Sequence, residues 1–362
     1  MRFARTDAMA QPASLTQSGM AAADPRHFAE LAALELEWGG ARALPELAAE
    51  LARRFRVHPE QVFVTPGATG AMSVAAAALF GAGNRVAVEV PSYEPLRVLP
   101  RREGAQVIEV RRTLEQGWRL EPAAVAEALA GEGRGHVFLS SPHNPSGVRT
   151  SPADLAELAE LAARAGGYLV CNEIYEEFVP AREAFHAASE LRHGISLGSL
   201  TKAYGLGALR VGWVVLGEAA MAEREAVEDA TFLQYVDLPT SSLRAATLAL
   251  RRREALLAPY RQVLAESRPV FERWLASEPR VEALVPEHGI IACARIRGVA
   301  DTRTLARHLA ATEGLGVVPG EHFGAPGHLR LGYGMDPEAL ADGLARLSRG
   351  LRSHAAHEDP PR

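Results

Sequence analysis

Short runs of β-branched and aromatic residues alternate with longer Ala/Leu-rich stretches of helical period through the first two thirds of the chain. Seven such runs read as strands: 62–65, 85–90, 106–110, 136–140, 168–171, 194–199 and 211–216. Strands alternating with helical stretches predict an α/β fold, a large domain with a mostly parallel seven-stranded sheet flanked by helices. One helix is fully punctuated. Ser151 suits its N-cap and Pro152 its first position; Leu155, Leu158 and Ala162 share a face, and Gly166-Gly167 stop it. From 241 to 278 the period stays helical, with Pro259 and Pro269 expected to break or kink it. Residues 281–296 and 314–334 read as short strands and turns around one more helix, and a last helix starts at Pro337. These elements predict a smaller α+β domain. The expected organisation is an N-terminal segment (1–38) packing with the small domain, a large domain (39–255), the small domain (256–352) and a disordered tail (353–362).

Composition narrows the function. Lys+Arg total 39 against 44 Asp+Glu, a net charge of -5, so a clustered basic surface for phosphate backbones is not expected and nucleic acid is excluded as a partner. No DNA-binding domain is expected in the short segment before Gly19. A 48% hydrophobic content suffices to bury a core. No apolar run approaches the ~20 residues that span a bilayer, and the first twenty residues lack the apolar centre of a secretory signal. Two cysteines, Cys171 and Cys293, cannot make a disulfide framework. A cytoplasmic protein without membrane contact is expected.

Polar and glycine-rich stretches follow five of the strands, where ligands of open α/β sheets gather. They are Pro66-Gly67-Ala68-Thr69-Gly70, Pro91-Ser92-Tyr93, Ser141-Pro142-His143-Asn144-Pro145-Ser146-Gly147, Asn172-Glu173-Ile174-Tyr175 and Ser199-Leu200-Thr201-Lys202. Small residues at 67–70 would let backbone N–H groups at a helix N-terminus approach an anion. No Gly-Lys-Ser/Thr follows, so this is not a Walker loop. Of the 39 basic residues only Lys202 is a lysine, and it stands between hydroxyl residues and a Gly-rich loop. A nucleophilic lysine needs a lowered pKa, which partial burial beside Arg210 would supply. Ser199, Thr201 and Arg210 could bind a phosphate together.

With these motifs in this order and spacing, the chain resembles the class I/II aminotransferases of the pyridoxal-phosphate fold-type I (aspartate aminotransferase) superfamily, from about Ser18 to Leu351. The resemblance implies pyridoxal 5′-phosphate held by Lys202 as a Schiff base, with Lys202 then shuttling the proton between Cα and C4′. It implies phosphate binding by Ala68 and Thr69 backbone groups with Ser199, Thr201 and Arg210. Tyr93 matches the aromatic that stacks on the pyridine ring, and Asn144 and Tyr175 match the donors to O3′. Arg330, in His-Leu-Arg-Leu, matches the arginine that grips the substrate carboxylate. Gly19, in Ser-Gly-Met, matches the segment that closes over the substrate. An amino acid and a 2-oxo acid are the implied substrates, and a homodimer the implied assembly.

Asn172 departs from the family pattern, which has an aspartate paired with the pyridine nitrogen. Three outcomes follow: an aminotransferase that tolerates the amide, a changed reaction (elimination, cyclisation, oxidation or decarboxylation), or a catalytically weak cofactor binder. Trp38 stands where many relatives have a tyrosine reaching the neighbouring subunit's phosphate. The wording of Pro-His-Asn-Pro-Ser-Gly and Thr-Lys-Ala-Tyr-Gly-Leu is similar to a subgroup that includes capreomycidine-synthase-like enzymes. His143 and His288 are candidate pocket residues. No cluster has metal-ligand spacing, so no metal is expected, and Cys171 reads as core.

Overall fold

The computed structural model describes residues 11–29 and 40–358. Trp38 lies outside them. Following a two-residue strand, β1 (Ala13–Ser14), the chain builds β2 (Val62–Thr65), β3 (Arg85–Val90), β4 (Gln106–Arg111), β5 (Gly135–Ser140), β6 (Leu169–Asn172), β7 (Gly194–Ser199) and β8 (Gly212–Leu216). These seven form one sheet in the order β2-β8-β7-β6-β5-β3-β4. Neighbours are parallel except at β8, which runs antiparallel to both β2 and β7.

Both faces of the sheet are covered, which is why its strands read as nearly unbroken apolar runs. On one face Val86, Val88, Phe138, Val170, Ile195 and Val214 pack into a single cluster that includes helix Gly67–Leu79. On the other, Ala87, Val137, Leu139, Leu169 and Cys171 meet helices Pro122–Leu129 and Pro152–Arg164. The Ser151 hydroxyl caps the latter by accepting from the Asp154 N–H at 3.0 Å.

The C-terminal third adds β9 (Val281–Glu282), β10 (Ile291–Ile296), β11 (Leu315–Gly316), β12 (Val318–Pro319) and β13 (His328–Gly332). An antiparallel sheet β12-β13-β10-β9 results, while β1 pairs with β11 and so ties the N-terminal segment to this layer. Two expectations need correction. The long helical stretch breaks at Arg252, between helices Thr240–Arg251 and Arg253–Ser277, and neither proline interrupts the second. Pro259 and Pro269 are exposed, as are Ala255 and Ala265 four residues before them, so the carbonyls left without a helical donor lie on the solvent side. The last helix also continues through Glu358, past Ser353 where the tail was expected to begin. Its apolar stripe, Leu340, Leu344, Leu347 and Leu351, is buried against the small sheet's cluster and carries the helix toward the end of the chain. No described helix is long and apolar enough to cross a membrane.

Candidate active site

The carboxyl ends of β2, β3, β5, β6 and β7 converge on a cavity of about 440 Å³. Ser18, Ala68, Thr69, Met72, Tyr93, Asn144, Asn172, Ile174, Thr201, Lys202, Arg210 and Arg330 line it. Of the residues singled out in the sequence, Tyr175, Ser199 and Gly19 lie behind this lining.

Helix Gly67–Leu79 begins immediately after β2, and no side chain caps its N-terminus. Its first N–H groups are therefore open to an anion. Gly67 has φ +77° and approaches Arg210 so closely that a Cβ there would stand 2.6 Å from Nη2. Arg210 itself adopts a left-handed conformation (φ 54°), a costly state for a side-chain-bearing residue that aims its guanidinium at this turn. Its Nη2 donates to the Pro66 carbonyl at 3.3 Å. Thr201 reaches the cavity. The Ser199 hydroxyl instead turns inward, donating to the Val211 carbonyl at 2.9 Å and lying 2.7 Å from Thr201 Oγ1.

Lys202 follows the end of β7. Its Nζ donates to Ser18 Oγ at 3.0 Å and sits 5.9 Å from the centroid of the Tyr175 ring. Burial, reinforced by the Arg330 and Arg210 charges, lowers its pKa to about 7. The amine is thus available as a base or nucleophile near neutrality. Gly19 packs closely beside it: a Cβ there would stand 3.3 Å from Lys202 Cδ.

Asn172 ends β6 and is 2% exposed. Its Nδ2 donates weakly to Ser140 Oγ at 3.4 Å, and its carbonyl oxygen is buried without a partner. Ser140 is held in turn by Glu89, whose Oε1 accepts the Ser140 N–H at 2.7 Å and whose Oε2 lies 2.7 Å from Arg112. The Tyr175 hydroxyl is likewise buried and makes no close hydrogen bond, although the Ser18 side chain stands beside it; burial raises its pKa.

Arg330 projects from β13, 5% exposed. Nη1 donates to Asn144 Oδ1 at 3.3 Å, Nη2 to the Thr16 carbonyl at 3.1 Å, and the guanidinium stands 5.1 Å from the Phe323 ring centroid. Burial pulls its pKa down. One cavity therefore joins a backbone anion cradle, a poised amine and an arginine fork, spanning both sheets.

The two candidate histidines stand elsewhere. His143 is fully buried, its ring bridging the Pro91 carbonyl (2.6 Å) and Ser146 Oγ (2.7 Å). His288 is 3.1 Å from Glu183, and with Glu287 these residues place their ligand atoms within 4.8 Å of one another at the surface. Cys171 is core, its thiol pKa pushed far up by burial. Sequence reasoning missed Ser18, Ser140 and the Thr16 carbonyl. Only Ser18 left a trace, in the Ser-Gly-Met wording.

A sequence profile described as aminotransferase class I and II matches residues 21–347. The chain is 32% identical to capreomycidine synthase of Streptomyces vinaceus over 91% of its own length and 87% of that protein. Arginine–pyruvate transaminase AruH of Pseudomonas aeruginosa is 31% identical over 85% of this chain and 80% of its own. Among solved structures, the pyridoxal-phosphate-dependent cyclase OrfR superposes with a TM-score of 0.85 at 26% identity, covering 98% of this chain and 96% of that one. The chain belongs to the class I and II aminotransferases, enzymes whose cofactor is pyridoxal 5′-phosphate.

Proposed function

We propose that this enzyme moves an amino group between a small amino acid and a 2-oxo acid in two half-reactions, with Lys202 as the residue that attaches the cofactor and transfers the proton. The observation that carries this reading is a poised lysine amine in one cavity with an uncapped helix N-terminus and a buried arginine fork. The fit to the cofactor rests on the groups left unsatisfied. The 67–70 turn, with Thr201 and Arg210, suits a phosphate. The Tyr175 hydroxyl, which makes no close hydrogen bond, suits a phenolate oxygen, with Asn144 beside it, and the orphaned Asn172 carbonyl suits a ring N–H. Tyr93 lines the cavity where a stacking ring is needed. Ser199 supports Thr201 from behind.

When bound, the cofactor supplies the electron sink that makes an amino acid's Cα–H bond acidic. The protein supplies orientation and a base. Arg330 fixes the α-carboxylate by two parallel hydrogen bonds, a geometry lysine cannot give. That anchor holds the Cα proton over Lys202 Nζ, so a bimolecular transfer becomes a positioned one.

A second reading keeps cofactor and site but changes the outcome to cyclisation of a guanidino amino acid. It is favoured by Asn172 and by the likeness to capreomycidine synthase and OrfR. Among the described residues, the cavity lining has two arginines and no carboxylate for a guanidinium, which favours the first reading.

A homodimer accords with the apolar, exposed Phe232, Leu233 and Val236 at the end of helix Arg224–Tyr235, and light scattering measures it. A cytoplasmic setting accords with two buried, unpaired cysteines. The deciding experiment mixes pure enzyme with a panel of amino donors and no acceptor. Conversion of the Lys202-bound cofactor band to pyridoxamine phosphate is expected. Consumption of an amino acid with no such conversion by any donor overturns transamination in favour of the second reading.

A further inference from the structure

The segment 15–20 is tied down at both ends. The Leu15 N–H donates to the Gly316 carbonyl and the Gly332 N–H to the Leu15 carbonyl, both at 2.9 Å, anchoring one end to the small sheet. At the other, the Met20 N–H donates to the Lys202 carbonyl at 2.9 Å. Between these anchors the chain crosses the cavity and touches its two charged poles. The Thr16 carbonyl occupies Nη2 of Arg330, and two residues later Ser18 Oγ takes the hydrogen bond from Lys202 Nζ.

We propose that Ser18 is a positioning residue for the free Lys202 amine, and that the Thr16–Ser18 strap couples carboxylate arrival at Arg330 to release of that amine. The inference rests on the site reading above. A carboxylate is a charged acceptor, and a fork-matched charged pair outcompetes a neutral peptide carbonyl for the same guanidinium. Only residues 16–19 lie between the anchors, so displacing the Thr16 carbonyl draws Ser18 away from Nζ. Whenever Lys202 is not attached to the cofactor, Ser18 parks its amine until a carboxylate takes Arg330; the amine is then free to act as a base. Both contacts span large sequence separations, 314 and 184 residues.

The groups facing Nζ come from Arg330 on β13, Arg210 before β8 and Tyr175 after β6, and Tyr93 after β3 lines the same cavity. The two arginines disfavour its charged form, and the hydroxyl of Ser18 favours it as an acceptor.

The single lysine makes the test clean. Protein grown on lysine labelled with 13C at Cε gives one signal, that of Lys202. The full-length enzyme is loaded with pyridoxamine phosphate, which leaves Lys202 free, and the signal is titrated with pH for the parent, Ser18→Ala and Ser18→Thr. Each titration is repeated with saturating propionate, an unreactive carboxylate. Without propionate, Ser18→Ala is expected to titrate roughly one pH unit lower, the worth of a hydrogen bond to a charged group, and Ser18→Thr to stay with the parent. With propionate, the parent and Ser18→Ala are expected to converge, because the strap has left Nζ in both. Any direct effect of the propionate charge is common to the two proteins and cancels. Coincident titrations without propionate, or a difference that propionate leaves unchanged, overturn the proposal. Failure to take up pyridoxamine phosphate would count against the cofactor reading instead, and the same comparison in the unloaded chain still reports on Ser18.

Discussion

Asn172 donates through Nδ2 to Ser140 Oγ at 3.4 Å, and this leaves its carbonyl oxygen as the buried, unpartnered atom of a residue that lines the cavity. The amide thus offers an acceptor where the family resemblance implies a carboxylate. An acceptor can hold a ring N–H, but without the charge that favours protonation of the ring.

Asn172→Asp restores that charge. A charge-assisted hydrogen bond is worth about 1.5–3 kcal/mol against about 1 for a neutral one, a difference of about 0.5–2 kcal/mol. If the whole difference falls on the proton-transfer barrier, the amino-donor half-reaction accelerates about 2- to 30-fold. Rapid mixing of each protein with its best donor measures this. An unchanged or slower half-reaction in the aspartate variant would mean that the site has been rebuilt around the amide, with Ser140 as part of the rebuilding.

Lys202 should also mark the pH dependence of stability. Its folded-state pKa is about 7, against 10.5 for the ordinary side chain. Between those values the folded chain binds fewer protons at this site than the unfolded chain does, so stability rises with pH across that window. Lys202→Met removes this contribution. Thermal melts of the cofactor-free proteins at pH 7 and pH 10 are expected to show the parent gaining on the variant at the higher pH. Parallel behaviour of the two would place the amine at its ordinary pKa.

The strands were legible because burial on both faces of the sheet leaves no polar alternation to confuse the reading. Six of the seven moved by a residue at one end or not at all; β6 shifted by one residue at both ends, because Asn172 is the last paired position opposite Ser140. Lys202, Arg210 and the 67–70 turn were legible for a different reason, since their residue types are what an imine and a phosphate require. The strap was not. A Thr16 carbonyl is available from any residue, so nothing in the identity of Thr16 announces a contact with Arg330. The direction of the Ser199 hydroxyl was equally hidden, because the same side chain can face the cavity or lock its own turn. Pro259 and Pro269 misled because the cost of a helical proline depends on whether water can reach the freed carbonyl, a property of the fold.

Arg330→Lys keeps the positive charge and removes the fork. One charge-assisted hydrogen bond is lost, and the Asn144 contact goes with the guanidinium geometry. KM for the amino donor is expected to rise about 10- to 150-fold, from the same 1.5–3 kcal/mol range. Cofactor affinity should change much less, because Arg330 comes from β13 whereas the anion cradle follows β2. Steady-state kinetics over a range of donor concentration, with a cofactor titration alongside, separates the two. An equal loss of cofactor affinity would assign Arg330 a role at the cofactor.

Gly67→Ala attacks the anion cradle without touching any reacting group. The position has φ +77°, where an alanine is strained by about 1 kcal/mol. The larger effect is steric. The new methyl would stand 2.6 Å from Arg210 Nη2 and 3.1 Å from its Cζ, so the guanidinium must swing away from the turn. A phosphate bound there would lose its cationic partner while keeping the helix N–H groups. The expected result is a cofactor dissociation constant at least ~10-fold higher, corresponding to the ~1.4 kcal/mol or more carried by a hydrogen bond to a charged group. The donor KM, measured at saturating cofactor, should stay near the parent value because Arg330 and the strap are undisturbed. Cofactor titration followed by absorbance measures the first quantity directly. Adding Arg210→Ala to Gly67→Ala then tests the cause. If the alanine acts by displacing Arg210, the double variant binds cofactor about as weakly as Arg210→Ala alone. Fully additive losses would place the damage in the backbone of the turn instead.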